Sequence, residues 1–396
     1  MYSNRQLFLN HLAQTSDAPL ALEIDYAEGM YLYDVNKKKY MDLISGIAVS
    51  NLGHRHPAVT NAIKEQTDKY LHTLVYGEFI LSPQVKLSKL LSDLLPKKLN
   101  SCYFVNSGAE ATEGAMKLAK RYTGRSNIVS FKNSYHGSTQ GALSLMSDEY
   151  FTAAFRPLLP GIKYLNFNNF EDLNLIDSSC AAVIVETVRA ETGVEKPIDD
   201  YLKSLRKRCD ETGTLLIFDE IQVGCGRTGS FFAFEKYDVI PDILLLAKGL
   251  GGGMPIGTFI SSKEIMNSLT HDPVLGHITT FGGHPVCAAA ALANIEIIKN
   301  NFETLVNTVP EKEKLFHNLL KNKAIKEIRS AGLLMAVQLE SFEQIQIVIK
   351  DCIENGLITD WFLFNNKALR IAPPLIIKEE EIVMACDIIN NALNKL

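Results

Sequence analysis

Between about residues 100 and 262 the chain alternates short aliphatic and β-branched runs with longer amphipathic stretches, and that alternation leaves few architectures open. The runs at 102–105, 127–131, 181–185, 215–218, 243–247 and 257–261 are too short for stable helices and almost unbroken in apolar character. A strand that is apolar on both faces needs cover on both faces, which is the condition of a parallel sheet between crossover helices. The span therefore reads as α/β, doubly covered.

The flanks read differently. From residue 288 a helical pattern to residue 300 leads into charged helices mixed with short strands such as 333–339, which predicts a smaller α+β unit. Before residue 50, Tyr31-Leu32-Tyr33-Asp34 and Lys39-Tyr40-Met41-Asp42 flank Asn36 and lysines, a strand, turn and strand expected to pack with the C-terminal part. With no internal repeat and no Gly/Ser linker, boundaries come from these changes of pattern: 1–50, a large unit at 51–290, and 291–396.

Composition narrows the function classes. Of 396 residues, 46% are hydrophobic and 21% charged, the balance of an ordered globular chain. Forty Lys+Arg against forty-five Asp+Glu leave a net charge of −5 without like-charge runs, which argues against nucleic acid and anionic membranes as partners. The opening residues lack a basic head with a long apolar run, and no stretch holds the roughly 18 apolar residues of a membrane span, so the expectation is a cytosolic protein. Seven scattered cysteines without a C-x-x-C argue against a disulfide framework or a zinc site. His54 and His56 have no further ligand cluster nearby and read as turn residues rather than metal ligands.

Ligands of open parallel sheets bind beyond the carboxyl ends of the strands, so the residues just after each run matter. After 102–105 comes Asn106-Ser107-Gly108-Ala109-Glu110-Ala111, small residues opening an amphipathic helix. Free backbone N–H groups and a positive dipole end make such a terminus an anion cradle, although many helices begin with Ser-Gly for capping alone. After 215–218 comes Asp219-Glu220, and after 243–247 comes Lys248, followed by Gly249-Leu250-Gly251-Gly252-Gly253. A desolvated lysine is a nucleophile toward carbonyl groups. A lysine, an acidic residue for a ring nitrogen and a phosphate cradle are the three things pyridoxal phosphate requires of a protein.

With these residues in hand, the chain resembles the class III aminotransferases of pyridoxal-phosphate fold type I, from about residue 20 to 375. The motifs that carry the likeness are Ser45-Gly46-Ile47-Ala48-Val49 with Gly53-His54-Arg55-His56-Pro57, Ser107-Gly108-Ala109-Glu110-Ala111, Tyr135-His136-Gly137, Asp219-Glu220-Ile221-Gln222 with Gly226-Arg227-Thr228-Gly229, Lys248-Gly249, Thr279-Thr280-Phe281-Gly282-Gly283 and Arg370-Ile371-Ala372-Pro373-Pro374-Leu375. The resemblance implies a mostly parallel seven-stranded sheet and a homodimer with shared active sites. It implies pyridoxal 5'-phosphate on Lys248, the Schiff-base lysine and proton shuttle. Asp219 would meet the ring nitrogen, Gln222 the ring hydroxyl and Tyr135 the ring face. Ser107, Gly108 and Ala109 would form the phosphate cradle, with His136 and Glu186 among the cofactor-binding residues, and Thr280 would reach the neighbouring subunit's phosphate.

For substrates, the resemblance casts Glu191 as a gate paired with Arg370, freeing that arginine for a carboxylate when glutamate or 2-oxoglutarate enters. Two departures stand out. The family pattern has Arg where this chain has Ser138, and Gln where it has Arg189. The expectation is that Arg189 supplies the missing positive charge. Ile47 sits where free-ornithine enzymes carry tyrosine and matches the acetylornithine subgroup, whereas residues 71–79, expected near the substrate mouth, do not follow that subgroup. The resulting expectation is ping-pong transfer from an ω-amino donor, N-acetylornithine first, to a 2-oxo acid. Another ω-aminotransferase, for 4-aminobutyrate, lysine or a β-amino acid, is the alternative, followed by a semialdehyde aminomutase and a non-catalytic binding protein.

Overall fold

The computed structural model describes residues 2–396, and its strands fall into three sheets. The first holds β1 (Ile24–Glu28), β2 (Tyr31–Asp34) and β3 (Lys39–Asp42). The central sheet holds β4 (Ser101–Val105), β5 (Asn127–Phe131), β6 (Ile162–Leu165), β7 (Cys180–Glu186), β8 (Leu215–Asp219), β9 (Ile243–Leu246) and β10 (Gly257–Ser261). The third is built from β11 (Glu327–Ser330), β12 (Met335–Gln338), β14 (Asp360–Phe362) and β15 (Asn365–Ile371), while β13 (Leu357–Ile358) returns to the first.

The central order is β4-β10-β9-β8-β7-β5-β6, with β5 to β9 parallel to one another and β10 antiparallel to both β4 and β9. Successive residues of one strand serve opposite cores, as the strand period of two requires. Val183, Val185, Leu216, Phe218, Leu244 and Leu246 pack with the helices Tyr201–Thr212 and Pro285–Asn300. Ala182, Ile184, Leu215, Ile217, Ile243 and Leu245 pack with Ala111, Ala115 and Met116 of the helix Gly108–Thr123. That is why these runs are apolar throughout.

Beside this sheet, β11-β12-β15-β14 is wholly antiparallel, and the helices Val309–Leu319, Phe342–Glu354 and Glu379–Leu393 share a core with it. The N-terminal hairpin is stitched to this region, because β3 pairs in parallel with β13, Met41 opposite Leu357 and Asp42 opposite Ile358. The strand β6 is absent from the sequence expectation. Ile-Lys-Tyr-Leu alternates apolar and amphipathic residues at the sheet edge, where only one neighbour pairs with it, so it lacks the unbroken run of its buried neighbours. Among the described residues, no helix is long and apolar enough to cross a membrane.

Candidate active site

The residues following β4, β5, β7, β8 and β9 converge on one cavity of about 720 Å³ beyond the strands' carboxyl ends. At its base Lys248 follows β9 with φ +43°, a left-handed conformation rare outside glycine, held by the bonds Leu250 N to Ala247 O and Gly251 N to Lys248 O. Its Nζ donates to Gln222 Oε1 at 2.8 Å. Burial lowers the lysine pKa, and Glu191 works against that shift.

Asp219 closes β8, where Oδ1 accepts from the Ile221 N–H at 2.9 Å and Oδ2 lies 2.6 Å from His136 Nδ1, both side chains being buried. His136 is fixed in turn, its carbonyl accepting from Thr112 Oγ1 at 2.9 Å. Glu186 accepts from the Tyr135 and Ala190 N–H groups and so ties the loop after β5 to the loop after β7, with its pKa raised by burial. On the other wall Ser107 caps the helix Gly108–Thr123 by accepting from the Glu110 N–H at 3.2 Å. That leaves the Gly108 and Ala109 N–H groups, without intrahelical partners, at the cavity edge. A Cβ on Gly108 would meet Ile221 Cδ1 at 2.9 Å, so glycine lets the helix end approach the floor.

These residues fit pyridoxal phosphate. Gln222 Nε2 and His136 Nε2 are buried among the cavity-lining side chains without a protein partner, which buried polar groups seldom tolerate. The helix terminus suits a phosphate, the Asp219–His136 pair suits a ring nitrogen, Gln222 suits a ring oxygen and Lys248 an aldehyde.

The cavity continues into an outer chamber of about 820 Å³ that shares Tyr135, Ser138, Glu191 and Lys248 with it. Here Glu191 and Arg370 form a bidentate pair, with both N–H···O distances 2.9 Å and both side chains buried. The Leu363 N–H donates to Glu191 at 3.0 Å, and Arg370 lies over the Phe362 ring at 4.5 Å. Burial would raise the Glu191 pKa, but Arg370 outweighs it and holds the carboxyl below its usual range. This is no surface salt bridge. Sequence reasoning missed a third member: Asp360 sits directly opposite Arg370 in the β14–β15 ladder and brings Oδ1 to 2.9 Å from Nε. Burial raises its pKa to about 6.

Ile47 also borders the chamber. It belongs to a left-handed turn, Ser45–Ala48, with φ of +49°, +61°, +65° and +60°. Asp42 Oδ1 accepts from the Ile44 and Ser45 N–H groups, and Ser45 Oγ donates to Ala372 O at 2.6 Å. These bonds fix three residues without glycine's freedom in that conformation.

Two expectations are corrected. Arg189 does not reach either space: its Nη1 pairs with Glu195 at 2.6 Å, its Nη2 donates to the carbonyls of Asn133 (2.8 Å) and Lys132, and the group lies over Phe167. A buried guanidinium satisfies its donors before it serves a ligand, and here the loop after β5 takes them. Residues 71–79 border neither space, and Val75, Tyr76 and Phe79 line a separate groove. Thr280 is exposed and outside this chain's own cavity, while the preceding Thr279 accepts from Asn106 Nδ2 at 3.2 Å. His54 Nε2 pairs with Asp42 Oδ2 at 2.9 Å, away from the cavity.

Residues 12–393 match the family described as aminotransferase class-III. An acetylornithine aminotransferase of Methanocaldococcus jannaschii is 41% identical over 381 residues, covering 93% of this chain and 92% of that protein. An acetylornithine aminotransferase of Methanopyrus kandleri is 39% identical over 371 residues, covering 92% of each. A crystal structure of ornithine aminotransferase from Toxoplasma gondii, with partial occupancy of PLP at its active site, superposes with a TM-score of 0.90 at 29% identity, covering 98% of this chain and 92% of that one. This chain, with its buried lysine beyond a parallel sheet, belongs to the class-III aminotransferases and is a pyridoxal-phosphate-dependent aminotransferase.

Proposed function

We propose that the enzyme moves an amino group from an ω-amino donor to a 2-oxo acid in a ping-pong cycle, with N-acetylornithine and 2-oxoglutarate the leading pair. The observation that carries this reading is the buried Glu191–Arg370 pair beside Lys248, a gate that masks a carboxylate-binding arginine while an amine-ended donor reacts. The two archaeal acetylornithine aminotransferases, at 41% and 39% identity, support the choice of donor.

When bound, pyridoxal phosphate supplies an electron-poor ring that takes up the charge left when a proton leaves the donor carbon. The protein does the rest. Lys248 Nζ, with its pKa lowered by burial, is free of its own proton closer to neutral pH and takes one from the donor carbon, which as acid it would then give to the cofactor carbon rather than back to the donor. Gln222, whose Oε1 accepts from that nitrogen at 2.8 Å, lies within reach of both the nitrogen and the ring oxygen it would bind. Asp219, oriented by His136 and the Ile221 N–H, presents a buried side chain to the ring nitrogen's place in the cavity. Glu191 leaves Arg370 when a dicarboxylate enters, and a substrate carboxylate takes its place on the same two N–H groups.

Ser138 favours a second reading, another ω-amine such as 4-aminobutyrate or lysine, since serine offers a carboxylate no guanidinium fork. In the proposed homodimer Thr280, exposed in this chain, reaches the partner's phosphate. The proposed compartment is the cytosol, where the seven free cysteines would stay reduced.

The test is the absorption spectrum of the purified holoenzyme as N-acetylornithine, N-succinylornithine, ornithine, 4-aminobutyrate, lysine and glutamate are added singly, without acceptor. Conversion of the cofactor band by N-acetylornithine and its recovery on adding 2-oxoglutarate support the reading. A band unmoved by all six refutes it. Light scattering on the same sample tests the dimer.

A further inference from the structure

The outer chamber is chemically lopsided. Its charged lining residues are Glu191, Arg370 and Lys248. Arg370 places Nη1 and Nη2 on Glu191 and Nη2 also on the Trp361 carbonyl at 3.0 Å, while Nε lies 2.9 Å from Asp360 Oδ1 as an ion pair without a hydrogen bond. The side chains that residues 138–155 contribute to its lining carry no charge. Ser138 Oγ is 3.0 Å from the Tyr135 hydroxyl, and the Gln140 amide donates to the carbonyls of Phe155 and Pro157. The remaining surface there is Leu143, Met146, Phe151 and Phe155. Arg156, next in sequence, points its guanidinium at Glu149, 2.7 Å away on the exposed surface. Arg189, which lines neither space, is held by Glu195 and two carbonyls.

Leu143 and Met146 are buried at 7% and 3%, whereas Phe155 and Trp361 keep 59% and 41% of their surface exposed. Aromatic surface of that size at the mouth of a cavity is free energy still available to a ligand that covers it.

We propose that the far end of the amine donor is recognised as a neutral apolar group, such as an acyl-amino chain, seated on Leu143, Met146, Phe151 and Phe155, and that a carboxylate carried at that end contributes almost nothing to binding. The proposal rests on the ω-amino donor reading above and defines the donor class more narrowly. N-acetylornithine is then accepted for its neutral acyl-amino end rather than for its carboxylate.

Two donor series test this on the holoenzyme by single-turnover conversion of the cofactor band. N-acetylornithine and N-acetylputrescine differ only in the carboxylate. A charge-assisted contact would separate them by roughly ten- to 150-fold, whereas the chamber predicts values of kcat/KM within about threefold. N-acetyl-, N-butyryl- and N-hexanoylputrescine lengthen the apolar end, and each methylene that becomes buried raises kcat/KM about fourfold. A tenfold or greater preference for N-acetylornithine, or a flat or falling acyl series, overturns the proposal.

Binding without turnover gives a second readout. Trp361 is the only tryptophan of the chain and lines the chamber, so N-pentylhexanamide, which has no amine, should change its fluorescence at a lower concentration than the carboxylate 6-acetamidohexanoate does. Equal or reversed midpoints overturn the proposal even if no donor reacts, while a failure of every donor to react with the amide midpoint still lower refutes only the ω-amino reading. In Ser138→Arg the same pair of donors should separate by tenfold or more in favour of N-acetylornithine, and no separation there overturns the proposal.

Discussion

Replacing Glu191 with Gln isolates what the gate costs an incoming carboxylate. In the wild type any carboxylate that approaches Arg370 competes with an ionised group already holding two N–H groups at 2.9 Å each. The glutamine side chain keeps one acceptor oxygen and turns an N–H₂ toward the guanidinium. A hydrogen bond to a charged group is worth about 1.5–3 kcal/mol. Losing an ionised competitor of that strength should raise kcat/KM for glutamate as donor roughly ten- to 100-fold, at about 1.4 kcal/mol per factor of ten. An ω-amino donor that leaves Arg370 alone should lose no more than about fivefold. Breaking a buried ion pair costs about 3–5 kcal/mol when the orphaned charge has no other partner. Asp360 remains 2.9 Å from Arg370 Nε, so the stability loss should fall at or below the lower end of that range, about 2–3 kcal/mol. Stopped-flow conversion of the cofactor band, one donor at a time, measures both rates on folded protein. A glutamate-to-ω-amine ratio within threefold of wild type would refute the gate.

Asp360→Asn removes the cross-strand counter-ion and leaves Arg370 to Glu191 alone, which tightens the gate; KM for 2-oxoglutarate in the second half-reaction should rise about fivefold or more, with the donor half unchanged. Arg189→Gln should leave the order of donors intact but leave the carbonyls of Lys132 and Asn133 without their donor. The expected loss is about 2–4 kcal/mol, seen as a Tm several degrees lower, and a changed donor order would restore the role expected from sequence. Glu220 is buried on the N–H groups of Ala233 and Phe234 and the Thr187 hydroxyl, and burial raises its pKa from 4.5 to about 8. Because the folded value lies above the unfolded one, its stabilising contribution is complete below about pH 4.5 and is lost as pH rises toward 8. The Tm advantage of wild type over Glu220→Gln should therefore shrink between pH 5 and 8.5, and a constant difference would contradict this.

The strands of the central sheet were legible because residues such as Val183 and Ile184 are buried toward two different cores, which forces an unbroken apolar run. Lys248, Asp219 and the Ser107–Gly108 cradle were legible because each comes directly after such a run. What escaped was set by partners distant in sequence. Arg189 reads as a free cation until the fold brings Lys132 and Asn133 under it, 57 and 56 positions away. Asp360 owes its place to strand register, which no local pattern announces. The positive φ of Lys248 and of Ser45–Ala48 is likewise imposed by the bonds around them, since lysine, serine, isoleucine and alanine carry no preference for it.

The parallel pairing of β3 with β13 also sets a clock on synthesis. Met41 leaves the ribosome long before Leu357, its partner in the ladder. At roughly 5–20 residues per second the interval is about 15–60 s. Throughout it the hairpin's inner strand exposes an open edge, and from about its midpoint Glu191 waits for an arginine not yet translated. The nascent chain therefore carries the cofactor lysine well before it carries the gate, and a chain cut short after the central sheet would hold a reactive amine with nothing to select what meets it.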